Sequence, residues 1–288
     1  MPGDDGTALW RALGGSVRGA AHRRRGLPNQ DAVLWFPDRG STVAMAVADG
    51  HGSASSFRSG AGAEMAVQTA IELLRELPGR GPEGDLAGAA ADWLPRQLAA
   101  RWREAVIGHL TSHPFSTADL EIVKARNPAP QNLEAPWQVY GSTVLGVLAT
   151  ASHVVYVQLG DGDILIVSAA GEVTRPWPRD PRLLGVETTS LCGQEACPDT
   201  RVMVQAITGD APALVLLATD GYANSFREDE GFLRIGTDIL EIIRQEGMEK
   251  VGHSLEGWLS EASECGSGDD ITMGILCRGV AGEAGDGD

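Results

Sequence analysis

Apolar residues fall along this chain in two rhythms. The first is a set of short, nearly unbroken runs, the signature of strands buried on both faces. Thr42 to Ala48, Gly141 to Ala149, His153 to Leu159, Ile164 to Ser168, Leu214 to Ala218 and Ile271 to Cys277 are such runs. Asp31 to Phe36 pairs with Thr42 to Ala48 across a Pro37–Gly40 turn, and Ser16 to Ala21 reads as a first strand. The second rhythm is helical. Val67, Ala70, Ile71, Leu74 and Leu77 stripe a helix over about Ala61 to Leu77. Leu98, Trp102, Ala105 and Val106 stripe another over about Leu94 to Leu110, where Pro95 is tolerable only near the first turn. Ile235 to Arg244 and Leu255 to Ala262 are amphipathic as well. Trp93 and Trp102 are expected in the core. Residues 112–138 read as a long irregular connection, and 176–200, rich in Pro, Gly, Thr and Cys, as a mobile flap. Residues 1–13 read as a flexible leader, 279–288 as a disordered acidic tail, and 14–278 as a single domain.

Composition narrows the class. Of the 288 residues 43% are hydrophobic, enough for a real core. No apolar run reaches the roughly 18 residues of a membrane span, and Met1 to Gly6 carries no signal pattern. Cys192, Cys197, Cys265 and Cys277 form no Cys-x-x-Cys pair, so neither a disulfide framework nor a zinc site is expected; a reduced, cytoplasmic protein fits. The formal charge of −16 repels nucleic acid and anionic membrane, and neither is an expected partner. Only Lys124 and Lys250 are lysines, and the wealth of Arg, Ala and Gly points to a GC-rich bacterial coding sequence.

The candidate chemistry sits where the apolar runs stop. Thr42 to Ala48 ends in Asp49-Gly50-His51-Gly52. An Asp-Gly pair by itself is an ordinary turn. The arrangement recurs, however: one run ends before Asp161, one before Asp220, and one begins just after Asp269 and Asp270. Strand ends of one sheet lie close together, so these carboxylates can converge, and converging carboxylates repel unless a cation holds them. Oxygen-only ligands favour the hard cations Mg2+ or Mn2+. Two such ions about 3.5–4 Å apart can activate a water and clamp a phosphoryl group. The Arg23-Arg24-Arg25 run is either a solvated loop or an anion clamp, since guanidinium forks match phosphate oxygens.

Taken together, Asn29-Gln30-Asp31-Ala32, Asp49-Gly50-His51-Gly52, Gly141-Ser142-Thr143, Gly160-Asp161-Gly162, Ala218-Thr219-Asp220-Gly221 and Ser267-Gly268-Asp269-Asp270-Ile271-Thr272 resemble the ordered motifs of the metal-dependent type 2C (PPM) serine/threonine phosphatases. The resemblance runs over about residues 14–278. It implies an α+β fold, a four-layer α-β-β-α sandwich of two stacked antiparallel sheets flanked by helix pairs. It implies two Mg2+ or Mn2+ ions, bridged by Asp49, with the Gly50 carbonyl on the second and Asp220 and Asp269 on the first. Gln30 and Asp31 border that centre, and Asp161 is the expected ligand of a third, weaker ion. By the same resemblance a metal-held hydroxide attacks in line and His51 protonates the leaving seryl or threonyl oxygen.

This chain departs from the family pattern in places. Gln30 stands where many members have Glu, and Asp163 and Asp270 replace a common Arg and Asn. The usual place of the phosphate arginine, five residues before Asp31, is Gly26, which leaves Arg25 as first choice, with Arg24 and Arg23 behind it. The implied partners are a phosphoserine or phosphothreonine protein substrate and a cognate kinase. Two alternatives stay open: a pseudophosphatase that binds phosphoproteins without turnover, and a calcium-binding module, which lacks its twelve-residue loop ending in Glu.

Overall fold

The computed structural model describes residues 9–53, 56–80, 85–126, 135–183, 188–208 and 211–279. Most of the leader, the acidic tail beyond residue 279, residues 127–134 of the irregular connection and 184–187 of the flap lie outside them. The strands are β1 (Trp10–Val17), β2 (Ala32–Phe36), β3 (Arg39–Gly40), β4 (Val43–Ala48), β5 (Val144–Ala149), β6 (His153–Leu159), β7 (Asp163–Ser168), β8 (Val173–Thr174), β9 (Arg201–Ala206), β10 (Pro212–Ala218) and β11 (Ile271–Arg278). The helices are α1 (Ala20–Arg25), α2 (Ser59–Glu76), α3 (Leu86–Ser112), α4 (Thr117–Arg126), α5 (Ala196–Asp199), α6 (Asp220–Ala223), α7 (Asp229–Glu246) and α8 (Met248–Cys265). No helix among the described residues is long and apolar enough to cross a membrane.

Two antiparallel sheets form the centre. One runs β3-β1-β11-β10-β7-β8 and the other β2-β4-β5-β6-β9. They stack face to face; α2 and α3 cover the second, α7 and α8 the first. The expected four-layer α+β sandwich is what the chain adopts. The near-continuous apolar runs follow from this burial on both faces. In β4 the small Ala44, Ala46 and Ala48 lie against α2, while Val43, Met45 and Val47 face the opposing sheet. In β10, Leu214 and Leu216 face α7 and α8, and Val215 and Leu217 fill the space between the sheets.

Several local expectations give way to tertiary context. The first strand begins at Trp10, not Ser16, and residues 20 and 21 open α1 instead of ending a strand. Trp10, counted with the leader, is fully buried between the sheets, where its indole N–H donates to the Thr150 carbonyl at 2.9 Å. α3 starts eight residues earlier than its stripe indicated, so Pro95 lies in the helix interior, not its first turn. Leu94, Leu98, Trp102 and Val106 are all buried there, and that packing offsets the missing hydrogen bond. The irregular connection contains α4 and a 3-10 turn over Pro136–Tyr140. β9, which the pattern did not reveal, follows the flap segment, and Leu191 within that segment is fully buried, its N–H bonded to the Ser142 carbonyl.

Candidate functional site

Strand ends carry the acids to one place. Asp49 leaves β4 held on both backbone groups by one residue: its N–H donates to Thr143 Oγ1 at 3.0 Å and its carbonyl accepts from the Thr143 N–H at 2.9 Å. Gly50 forms a β-bridge with Ser142 and is wedged against main chain; a Cβ there would sit 2.6 Å from the Gln30 carbonyl oxygen and 2.7 Å from that of Ser59. The Gly-Ser-Thr stretch therefore serves as the clamp of the Asp49 turn. Asp161 tips the β6–β7 turn, where Gly160 takes φ 111°, a conformation that favours glycine. Thr188 Oγ1 donates to Asp161 Oδ1 at 2.8 Å. Asp220 is the first residue of α6, and Asn224 Nδ2 donates to its Oδ2 at 2.9 Å. Asp269 stands just ahead of β11, which pairs antiparallel with β10, so Asp220 and Asp269 are neighbours by register.

Asp49, Gly50, His51, Asp161, Asp220 and Asp269 all line one cavity of about 1060 Å³. The His51 N–H donates to the Gly141 carbonyl at 3.0 Å, and its ring packs on Gly141, where any side chain would collide with it. Of the three consecutive arginines, Arg25 lines this cavity. Arg23 is bonded to Glu264 and to the Arg18 carbonyl, and Arg24 is exposed beside Gly268.

Burial and mutual repulsion shape the titration of these acids. Burial, reinforced by the charges of Asp31 and Asp220, holds the Asp49 carboxyl well above the usual carboxylate range. Burial and then the charge of Asp161 push Asp220 up to about 6, against a hydrogen bond shared with the Asp49 carboxyl. The His51 imidazole is pulled below its ordinary value by burial, against the opposing charge of Asp161.

A deeper layer lies behind them. Asp31 accepts from Thr219 Oγ1 at 2.8 Å, and Thr219 in turn accepts from the Thr272 N–H. Burial raises Asp31 despite bonds from Thr219 and Thr272 that lower it. Gln30 is buried, and its Oε1 has no hydrogen-bond partner among the described residues. Asp270 is buried and accepts from the Gly19 and Gln30 N–H groups at 2.6 and 2.7 Å and pairs with His22 Nδ1 at 2.8 Å. Asp163, in the place of a common arginine, is buried and paired with Arg175 and Arg179. Sequence reasoning left His22 ambiguous, as a residue flanking the arginine clamp, and gave it no role.

The donor set suits a hard divalent cation. It comprises carboxylates, of which Asp49 and Asp220 are driven toward protonation by burial and neighbouring charge, a backbone carbonyl and an orphaned amide oxygen; a cation reverses that drive. Among the described residues no three His, Cys, Asp or Glu side chains close around a single point. The acids surround open space, which accords with Mg2+ or Mn2+ keeping several waters.

The family model for protein phosphatase 2C matches residues 18–260. A search of curated proteins returned no match. Solved structures share the fold. The PppA regulatory component of the type VI secretion system of Pseudomonas aeruginosa is 18% identical, with 94% of this chain and 98% of that chain covered and a TM-score of 0.58. The catalytic domain of the serine/threonine protein phosphatase PstP, solved with two manganese ions, is 19% identical over 94% of this chain and 99% of that chain, with a TM-score of 0.55. The serine/threonine phosphatase Stp1 of Staphylococcus aureus is 12% identical over 92% and 94%, with a TM-score of 0.53.

Proposed function

The chain belongs to the protein phosphatase 2C family, and from that premise we propose that it is a bacterial, cytoplasmic, Mg2+- or Mn2+-dependent hydrolase of phosphoserine and phosphothreonine in proteins. One observation carries the reading: acids from four separate strand ends and His51 line a single cavity. Asp49, the Gly50 carbonyl, Asp220 and Asp269 would hold two ions, and Asp161 a third. Bound there, such ions supply a nucleophilic water at neutral pH and a Lewis acid for the phosphoryl oxygens.

The chain's own residues do the rest. Thr143 fixes the backbone of Asp49, so its carboxylate is positioned in advance to hold a cation. His51, anchored through its N–H to Gly141, delivers a proton to the departing seryl or threonyl oxygen. Arg25, the one arginine of the run on the cavity wall, offers its guanidinium to the phosphate. The bound cations reverse the local field, so the negative surface does not bar a phosphorylated substrate. The opposing activity is a kinase that writes phosphate on the same hydroxyl.

The test is phosphate release from a phosphothreonine peptide with Mn2+ or with EDTA, for wild type and Asp220→Ala. Manganese-dependent release, lost in the variant, is the expected result. A folded, manganese-binding protein that releases no phosphate would replace this reading with the phosphoprotein-binding one, for which neutral Gln30 is the motive.

A further inference from the structure

We propose that His22 is a nitrogen ligand of the cation centre, so that this centre is not oxygen-only and favours Mn2+ over Mg2+. The inference deepens the phosphatase reading and rests on it for the presence of a cation beside Asp269.

His22 lies in α1 with only 8% of its surface exposed, and it lines the main cavity. Its Nδ1 meets Asp270 Oδ2 at 2.8 Å. That carboxylate already accepts two backbone N–H groups, from Gly19 and Gln30. A group that accepts on both oxygens has no hydrogen to give, so the hydrogen of the His22–Asp270 contact sits on Nδ1. Nε2 is thereby the ring nitrogen left facing the cavity. It faces Asp269 Oδ1 at 3.6 Å, too far for a hydrogen bond and suited to two ligands of one cation.

Gln30 supplies the independent sign. Its side chain is 8% exposed, and its Oε1 has no partner among the described residues. That oxygen flanks the same gap: a Cβ on Gly52 would lie 3.2 Å from Gln30 Oε1 and 3.5 Å from His22 Nε2. Glycine at position 52 keeps this gap open. The His22 Nε2 thus faces a carboxylate oxygen of Asp269 and, across the gap at Gly52, the unpartnered amide oxygen of Gln30. A second-shell carboxylate that holds Nδ1–H fixes the tautomer and raises the basicity of Nε2, the usual support of a metal-binding histidine. Mg2+ dehydrates reluctantly and demands near-ideal oxygen geometry, so a nitrogen ligand burdens it more than Mn2+.

The experiment is Mn2+ and Mg2+ titration of the full chain by calorimetry, with spin-echo spectroscopy of the bound Mn2+. Wild type, His22→Asn and Asp220→Ala are compared. Asn at position 22 keeps an N–H for Asp270 and removes Nε2. Imidazole nitrogen modulation of the Mn2+ echo is expected in wild type and absent in His22→Asn. Mn2+ affinity should fall about tenfold or more in that variant, with a smaller fall for Mg2+. Should His22→Asn fail to fold, the modulation must persist in His51→Gln, which removes the other nearby imidazole. Bound Mn2+ without nitrogen modulation in wild type, or its survival in His22→Asn, overturns the proposal. In that case binding that still disappears in Asp220→Ala leaves the phosphatase reading standing. A chain that binds no Mn2+ at all ends both.

Discussion

At the scale of single residues, the centre is a balance between burial and charge. Asp31, Asp49 and Asp220 are acids whose protonated forms the folded, metal-free protein prefers. Their folded values lie above the unfolded ones, so their contribution to stability is complete below the ordinary carboxylate range. It is lost as pH rises through the folded values, which for Asp220 is about 6. The metal-free protein is therefore expected to lose stability as pH rises from about 4 through about 6, and urea titrations across that range check it. Millimolar Mn2+ should flatten the loss, because a cation replaces the protons; an unchanged profile would contradict the site. His51→Gln should lower kcat by about 10²–10⁴ with Mn2+ affinity unchanged, read from steady-state kinetics beside calorimetry. The identity of these acids was legible because each stops an apolar run. Which arginine faces the cavity was only ranked: spacing from Asp31 put Arg25 ahead of Arg24 and Arg23, and the turn of α1 is what separates them. That His22 and Gln30 meet was not legible either, since it is a fact of packing.

At the scale of elements, periodicity found the strands and helices and misplaced their ends. Trp10 to Leu13 carry polar and glycine neighbours and read as leader, yet β1 pairs with β11 along its whole length. Long-range pairing of that kind leaves no local mark. Pro95 misled in the opposite sense, because its cost is local and the buried face of α3 that overrides it is not. The α2–α3 pair has its own sensitive point. Gly62 on α2 lies against the Tyr140 carbonyl, which a Cβ would overlap, and its own carbonyl accepts the Trp102 indole N–H at 3.0 Å. Gly62→Ala should destabilise the protein by about 1–3 kcal/mol or more. It should also weaken Mn2+ binding, because Tyr140 leads directly into the segment that clamps Asp49. Denaturant melts and calorimetry on the same preparation test both; a variant as stable as wild type would refute the close contact.

At the scale of the whole molecule, two stacked sheets bring to one cavity acids that lie far apart in the chain. The cation is then a tie among layers whose other contacts are mainly apolar side chains, with a few hydrogen bonds such as Trp10 to Thr150 and Thr219 to Asp31. Mn2+ at 100 times its Kd should stabilise the fold by about 2.7 kcal/mol, a rise in Tm of roughly 5–10 °C for a chain of this size. EDTA should reverse it, and Asp49→Asn should remove most of it, both read by scanning calorimetry. By itself the sequence determined the order of most elements and the acids at strand ends, because buried strands must be apolar and turns must tolerate Asp and Gly, and its motifs implied the four-layer class through their family resemblance. The tertiary structure alone decided that Asp270 holds His22 and that Gln30 Oε1 is left unpaired. Those facts depend on distances between segments remote in the chain. Such distances are set by sheet register and layer packing, which local pattern does not encode.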